Sequence, residues 1–225
     1  GRYLIEELQG PEGYYNDPAY SVKFEIKSDR VWQVVGNATN DMDKYIVTEK
    51  YCNHETLGRL TIRKLGNVLT DYQDGQFIYT QDNLAGAVYE IHAASDIATP
   101  DRQGTYWYKS GDLVATVTTS AKGQVDEVKF SPTRTQSTYD FLKIIHDGTK
   151  GEVTVILPLG KYTITEVKAP YGFVLTQQSY TVEFSWDNQK NDIVLAKTIV
   201  SHEQDGDKKC SYSIVNVKDA SDAHK

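Results

Sequence analysis

Cysteine is nearly absent: Cys52 and Cys210 are the only two in 225 residues. Two thiols build no disulfide framework, and their spacing does not fit a zinc site. Free buried thiols are the preferred reading, with a mutual disulfide as the alternative. If the protein works outside the cell, something other than cystine bridges must fasten it. Long apolar runs are missing too, since none approaches the roughly 20 residues that span a bilayer, so this stretch is not expected to insert into a membrane. Gly1 opens in mid-pattern without the basic and apolar regions of a signal peptide, and the chain reads as a piece of a longer one. Cations are outnumbered, 24 Lys and Arg against 31 Asp and Glu, for a net charge of −7. Nucleic acid is therefore an unexpected partner, because affinity for it comes largely from cations neutralising phosphates.

Catalytic constellations are equally scarce. The five histidines, His54, His92, His146, His202 and His224, form no HxH or HExxH arrangement, so neither metal nor cofactor is expected. Asp205 and Asp207 in QDGDKK lack the ligand set of a calcium loop and read as a solvated turn. No phosphate-cradling glycine loop and no GxSxG elbow is present, which argues against an enzyme with turnover.

What the chain does have is the composition of a β protein. Val, Ile, Thr and sixteen tyrosines are prominent beside a single methionine. Period-two alternation bounded by Gly, Asp, Asn and Pro predicts strands at GRLTIRKL, QFIY, GAVYEIHAA, DLVATVTT, DEVKFS, GEVTVILPL, KYTITEV, SYTVEFSW, DIVLAKTIV and CSYSIVNV. Asp74-Gly75 and Asp147-Gly148 are turn signals. STYDFLKIIHDG fits a short helix or a strand. Many short strands at such spacing imply a sandwich or barrel, with insertions expected at 94–111 and 131–151.

An internal repeat organises the chain. GRYLIEELQGPEGY at Gly1 to Tyr14 echoes GKYTITEVKAPYGF at Gly160 to Phe173, which aligns Glu7 with Glu166, Pro11 with Pro170 and Gly13 with Gly172. YSVKF then matches YTVEF, and each copy ends on a strand near an asparagine, Asn53 or Asn216. The expected organisation is the second half of a repeat at 1–56, a complete unit at 57–220 and a tail at 221–225.

Three predicted strands carry one polar residue in phase with their apolar face: Lys64 after Leu60 and Ile62, Glu166 after Tyr162 and Ile164, and Asn216 after Tyr212 and Ile214. A buried Lys or Glu is costly unless paired, so the pattern predicts that the three meet. A neutral Lys64 amine could then attack the Asn216 side-chain carbonyl, with Glu166 shuttling protons, to leave an isopeptide bond and ammonia. An ordinary strand-end salt bridge or snorkelled side chains satisfy the same spacing. The aromatic run Tyr106, Trp107, Tyr108 is the best candidate for ligand contact, because adjacent residues on one strand cannot all face the core. Covering a neighbouring domain or packing under the insertion is the alternative.

The segments GRLTIRK, LAGAVYEIHAASDI, LVATVTT, LPLGKYTITEVKAPYGFVL and YTVEF resemble the SpaA-type, or collagen-adhesin B-type, domain of Gram-positive surface proteins. The resemblance implies an all-β fold of tandem prealbumin-like (inverse immunoglobulin-type) β-sandwich domains. It also implies a Lys64–Asn216 isopeptide bond promoted by Glu166, with Glu7 and Asn53 as the equivalent members of an upstream site. The implied role is a stalk or pilin-like segment on the cell wall, with neighbouring repeats as partners and no cofactor. The alternatives are an adhesin domain for a host matrix protein or glycan, and an accessory module of a secreted carbohydrate-active enzyme.

Overall fold

The computed structural model describes residues 1–16, 21–26, 31–35, 39–40, 47–48, 53–99, 104–122, 127–131, 149–175, 179–187, 189–190, 192–198 and 211–219. Residues 31–35, 192–198 and 211–219 are described by their backbone pairing alone. Nineteen strands and no helix are found among the described residues, and the chain is all-β. Contacts divide it into two units, Gly1–Thr56 with Trp186–Asp192, and Leu57–Ser185 with Ile193–Lys225.

The first unit holds an antiparallel sheet of β1 (Arg2–Glu6), β3 (Ser21–Ile26) and β4 (Val31–Val35), in the order β1-β3-β4. Tyr3 lies opposite Phe24 and stacks on it at 5.3 Å. A short pair joins β2 (Tyr14–Tyr15) to β7 (His54–Glu55), and another joins β5 (Thr39–Asn40) to β6 (Val47–Thr48). The repeat is visible as one turn built twice. Tyr14 N–H donates to Pro11 O and Phe173 N–H to Pro170 O, with Gly13 and Gly172 at φ 85° and 84°. That left-handed third position is what glycine supplies without a Cβ clash.

The second unit is two sheets packed face to face. One is built on β8 (Leu57–Gln73), flanked by β15 (Glu152–Pro158) and β19 (Ser211–Asp219), with β9 (Gln76–Asn83) pairing farther along β8. The other runs in the order β14-β13-β10-β16-β17-β18, formed by β10 (Val88–Ala93), β13 (Leu113–Thr118), β14 (Glu127–Phe130), β16 (Gly160–Lys168), β17 (Ser179–Asp187) and β18 (Asp192–Thr198). Period-two alternation puts Leu60 and Ile62 of the first sheet, and Tyr89, Ile91, Tyr162, Ile164, Val182 and Phe184 of the second, into one buried core. The sheets approach closely at Gly58, where an added Cβ would stand 2.3 Å from the Phe184 ring. The buried Tyr162 hydroxyl donates to Pro158 O at 2.7 Å.

β8 continues past the sandwich. Its last β19 partner is reached at Gly66, and beyond that point it pairs with β9 as a two-stranded ribbon. The ribbon closes at Asp74-Gly75, with φ 51° and 80°, the two left-handed residues of a tight hairpin turn. Tyr72 and Phe77 face each other near its exposed tip at 5.1 Å. The 94–111 segment carries β11 (Ile97–Ala98) paired to β12 (Tyr106–Tyr108). Most of 131–151, including STYDFLKIIHDG as far as Gly148, lies outside the described residues, as do Cys52, Cys210, Asp205, Asp207, His146, His202 and His224.

Candidate functional site: a buried lysine–glutamate pair between the sheets

Lys64 and Glu166 come from opposite sheets and meet in the core. Lys64 Nζ donates to Glu166 Oε2 at 2.8 Å, with the side chains 0% and 1% exposed. The backbone fixes both ends. Lys64 sits where β8 changes neighbours: its N–H donates to Gly151 O and its carbonyl accepts from Leu84 N–H, both at 2.8 Å. Gly151, at φ 78°, lies so close to this stretch that a Cβ would be 2.7 Å from Leu84 N. On the other sheet, Glu166 is opposite Tyr89, and the β10–β16 ladder skips a residue at Val167. Such an irregularity beside a functional side chain re-aims it. Tyr89 is fully buried next to it and keeps the acid away from water. Nothing in the sequence singled out Tyr89, although its phase with Ile91 and Ala93 in VYEIHA carries the signal.

Lys64 continues the face of Leu60 and Ile62 on β8, and Glu166 that of Tyr162 and Ile164 on β16, all four fully buried, so the pair lies in the water-free interior. Taking two charges out of water is expensive, and the geometry that offsets it is a short, direct contact between them. The same contact allows a proton to pass from amine to carboxylate, giving a neutral nucleophile beside a carboxylic acid.

Asn216 lies in β19, which pairs with β8 along its full length. In that register Asn216 is opposite Thr61 and Ser213 is opposite Lys64, so Asn216 shares the face of Thr61 and not that of Leu60, Ile62 and Lys64, in contrast to the phase expected from Tyr212 and Ile214. In the first unit, Glu7 and Asn53 are brought together: Asn53 Nδ2 donates to Glu7 Oε1 at 3.0 Å. Asn16 Nδ2 donates to Glu7 O at 2.8 Å, and Thr56 Oγ1 to Gly13 O at 2.7 Å, so both ends of this pair are anchored to the same loop.

The aromatic run on β12 divides. Tyr108 is buried opposite the buried Ile97 and belongs to the core, which removes it from the expected ligand surface; the β11–β12 ladder skips a residue at Trp107, which breaks the period-two equivalence of Tyr106 and Tyr108. Tyr106 is exposed, and Lys109 Nζ stands 3.1 Å from its ring centroid. Trp107 is partly buried. His92 is more than a bare surface residue, since Nε2 pairs with Glu90 Oε2 at 3.0 Å on the outer face of β10. Partial burial pulls its pKa down. The bonds to Glu90 and the Gly111 carbonyl, with the Glu90 charge, outweigh that and leave it raised above 6.5. No cluster of three or more metal-ligating side chains occurs among the described residues.

No curated protein and no solved structure matches this chain. The family model of the SpaA prealbumin-like fold domain matches residues 78–198, from β9 to the end of β18, a span that contains Glu166 and the strands around it. This match covers more than half of the chain, and the protein belongs to the SpaA prealbumin-like domain family.

Proposed function

We propose that this chain is a stalk or pilin-like segment of a Gram-positive cell-surface adhesin, fastened by an isopeptide bond that its second unit forms on itself. The observation that carries the reading is the buried Lys64–Glu166 contact at 2.8 Å, with Glu166 inside the span that the family model matches. After proton transfer within the pair, the Lys64 amine attacks Asn216 Cγ. Glu166, now protonated, hydrogen-bonds the developing oxyanion and delivers its proton to the departing nitrogen; ammonia leaves, and Glu166 takes up the second Nζ proton as the amide forms. The reaction happens once per molecule, driven by the proximity that folding creates. A shift of β19 by one residue would place Asn216 opposite Ile62, diagonal to Lys64 and on its face, within reach of a lysine side chain.

The mechanical logic follows from where the strands sit. Lys64 is on the first strand of the unit and Asn216 on its last. A covalent tie between them bypasses the hydrogen bonds that tension would otherwise unzip, and it restricts the unfolded chain as a disulfide does. It is also indifferent to redox conditions, which suits a sequence with two cysteines. Neighbouring repeats are the partners of such a segment, on the outside of the cell.

Intact-mass spectrometry under denaturing conditions tests the reading. The chain is expected to weigh one ammonia less than its sequence, and Lys64→Ala, Glu166→Ala and Asn216→Ala are each expected at full mass. A wild-type chain at full mass would reject the bond.

A further inference from the structure

We propose that the outer end of the β8–β9 ribbon is a docking surface for an extended, arginine-bearing segment of another protein. The proposal concerns recognition between molecules and does not depend on the Lys64–Asn216 bond.

The register of the ribbon gathers its apolar side chains. Leu69 is opposite Tyr79, Asp71 opposite Ile78 and Tyr72 opposite Phe77, which leaves Thr70 as an extra residue on β8. Simple alternation would put Leu69 and Tyr72 on opposite faces. With the bulge between them, Leu69, Tyr72, Phe77 and Tyr79 share one face. Leu69 is 51% exposed, Tyr72 60% and Phe77 54%, all beyond the last β19 partner at Gly66 and outside the sandwich core. An irregularity that assembles an exposed apolar stripe marks an interaction surface.

Charge selects the partner. Residues 65–83 contain three aspartates and no lysine or arginine. Lys150 pairs with Asp82 at the base of the ribbon. Asp71 accepts from Tyr72 N–H and Gln73 Nε2, and neither it nor Asp74 has an ion-pair partner among the described residues. Asp71 stands on the face opposite the stripe and Asp74 at the turn, so two uncompensated charges rim it. An apolar centre with a polar rim is the anatomy of a protein–protein interface. The occupant must bring apolar side chains to the stripe and cations to the rim. Arginine serves both, because a guanidinium stacks on aromatic faces and forks onto carboxylates. The chain makes the same two kinds of contact within itself, with Lys109 Nζ 3.1 Å from the Tyr106 ring centroid and Lys150 on Asp82. A net charge of −7 steers a cationic partner inward. A neutral saccharide would leave both carboxylates unanswered, and an anionic lipid surface would be repelled by them. Aspartates on a hairpin also discourage edge-to-edge pairing, but that purpose needs no aromatic stripe.

The test adds a short synthetic peptide that alternates arginine and valine to the intact, isotope-labelled chain and follows the backbone amides by NMR. Amides of residues 67–81 are expected to shift, and binding is expected to weaken as salt is raised. Tyr72→Ser/Phe77→Ser should weaken binding about tenfold or more. Asp71→Asn/Asp74→Asn should weaken it about three- to tenfold and flatten the salt dependence. Asparagine keeps the acceptor oxygen at position 71 and tolerates the left-handed backbone at position 74, so this variant still decides the matter if loss of the rings disturbs the hairpin. A peptide with glutamate in place of arginine should shift nothing. No shift at the ribbon, equal binding of the glutamate peptide, binding unchanged by either variant, or a response of the ribbon to cellohexaose and not to the arginine peptide would each overturn the proposal.

Discussion

Replacing Glu166 with leucine should cost far more than replacing Glu166 and Lys64 together. The comparison belongs in an Asn216→Ala background, where no isopeptide can form and only the ion pair is in question. Lys64 is fully buried and its amine has Glu166 Oε2 at 2.8 Å. Glu166→Leu keeps the volume but removes the carboxylate that accepts from the buried amine, leaving the amine inside the core. Breaking a buried pair by removing one partner costs about 3 to 5 kcal/mol, whereas replacing both with apolar residues of similar size is often neutral or stabilising. At roughly 2 to 4 °C per kcal/mol for a domain of this size, the single variant should melt about 6 to 20 °C below its background. Lys64→Met/Glu166→Leu should recover most of that loss. Urea titration followed by tryptophan fluorescence, with thermal melts by circular dichroism, measures both variants. If the double variant is as unstable as the single one, the pair is not the buried, coupled unit described here.

Three further outcomes follow from the packing. Gly58→Ala should destabilise the second unit by about 1 to 3 kcal/mol or more in a urea titration, because its Cβ would fall 2.3 Å from a Phe184 ring that has no room to withdraw. Thr119→Val should cost about 1 to 3 kcal/mol for each group it strands, since the Thr119 hydroxyl donates to Leu84 O at 2.9 Å and accepts from Ala87 N–H at 3.0 Å in a buried position. His92 has a raised folded pKa, so its pairing with Glu90 contributes stability that is fully present below about pH 6.5 and fades as pH rises through the folded value. His92→Gln should flatten that part of the pH–stability curve. An NMR titration of the ring should give a midpoint above 6.5, and a midpoint at or below it would contradict the assigned bonds.

Much of the site was legible because a strand writes its burial into alternation. Lys64 and Glu166 stand out as polar residues that continue an apolar face, and a buried charge needs a partner. Their meeting nevertheless depends on two sheets closing over one another, since the two are 102 positions apart in sequence. The twin turns at Pro11–Tyr14 and Pro170–Phe173 were equally readable, because proline and glycine act on their own backbone. Tyr89 was not readable as part of the site. Its role comes from standing opposite Glu166 across a ladder irregularity, which no local pattern records. The outward reach of β8 was hidden for a related reason: alternation marks a strand but does not say where its neighbours stop.

By itself, then, the sequence determined the all-β class, the repeat and its turns, and that Lys64 and Glu166 were out of place on an apolar face. Those features are set by period, by φ preference and by the cost of burial, all of which act within a few residues. Tertiary structure decided which of those side chains touch. It also sent Tyr108 inward and Tyr106 outward, and brought Asn53 Nδ2 to Glu7 Oε1. Contacts of that kind depend on sheet register and on the closure of distant strands, which are global consequences of packing.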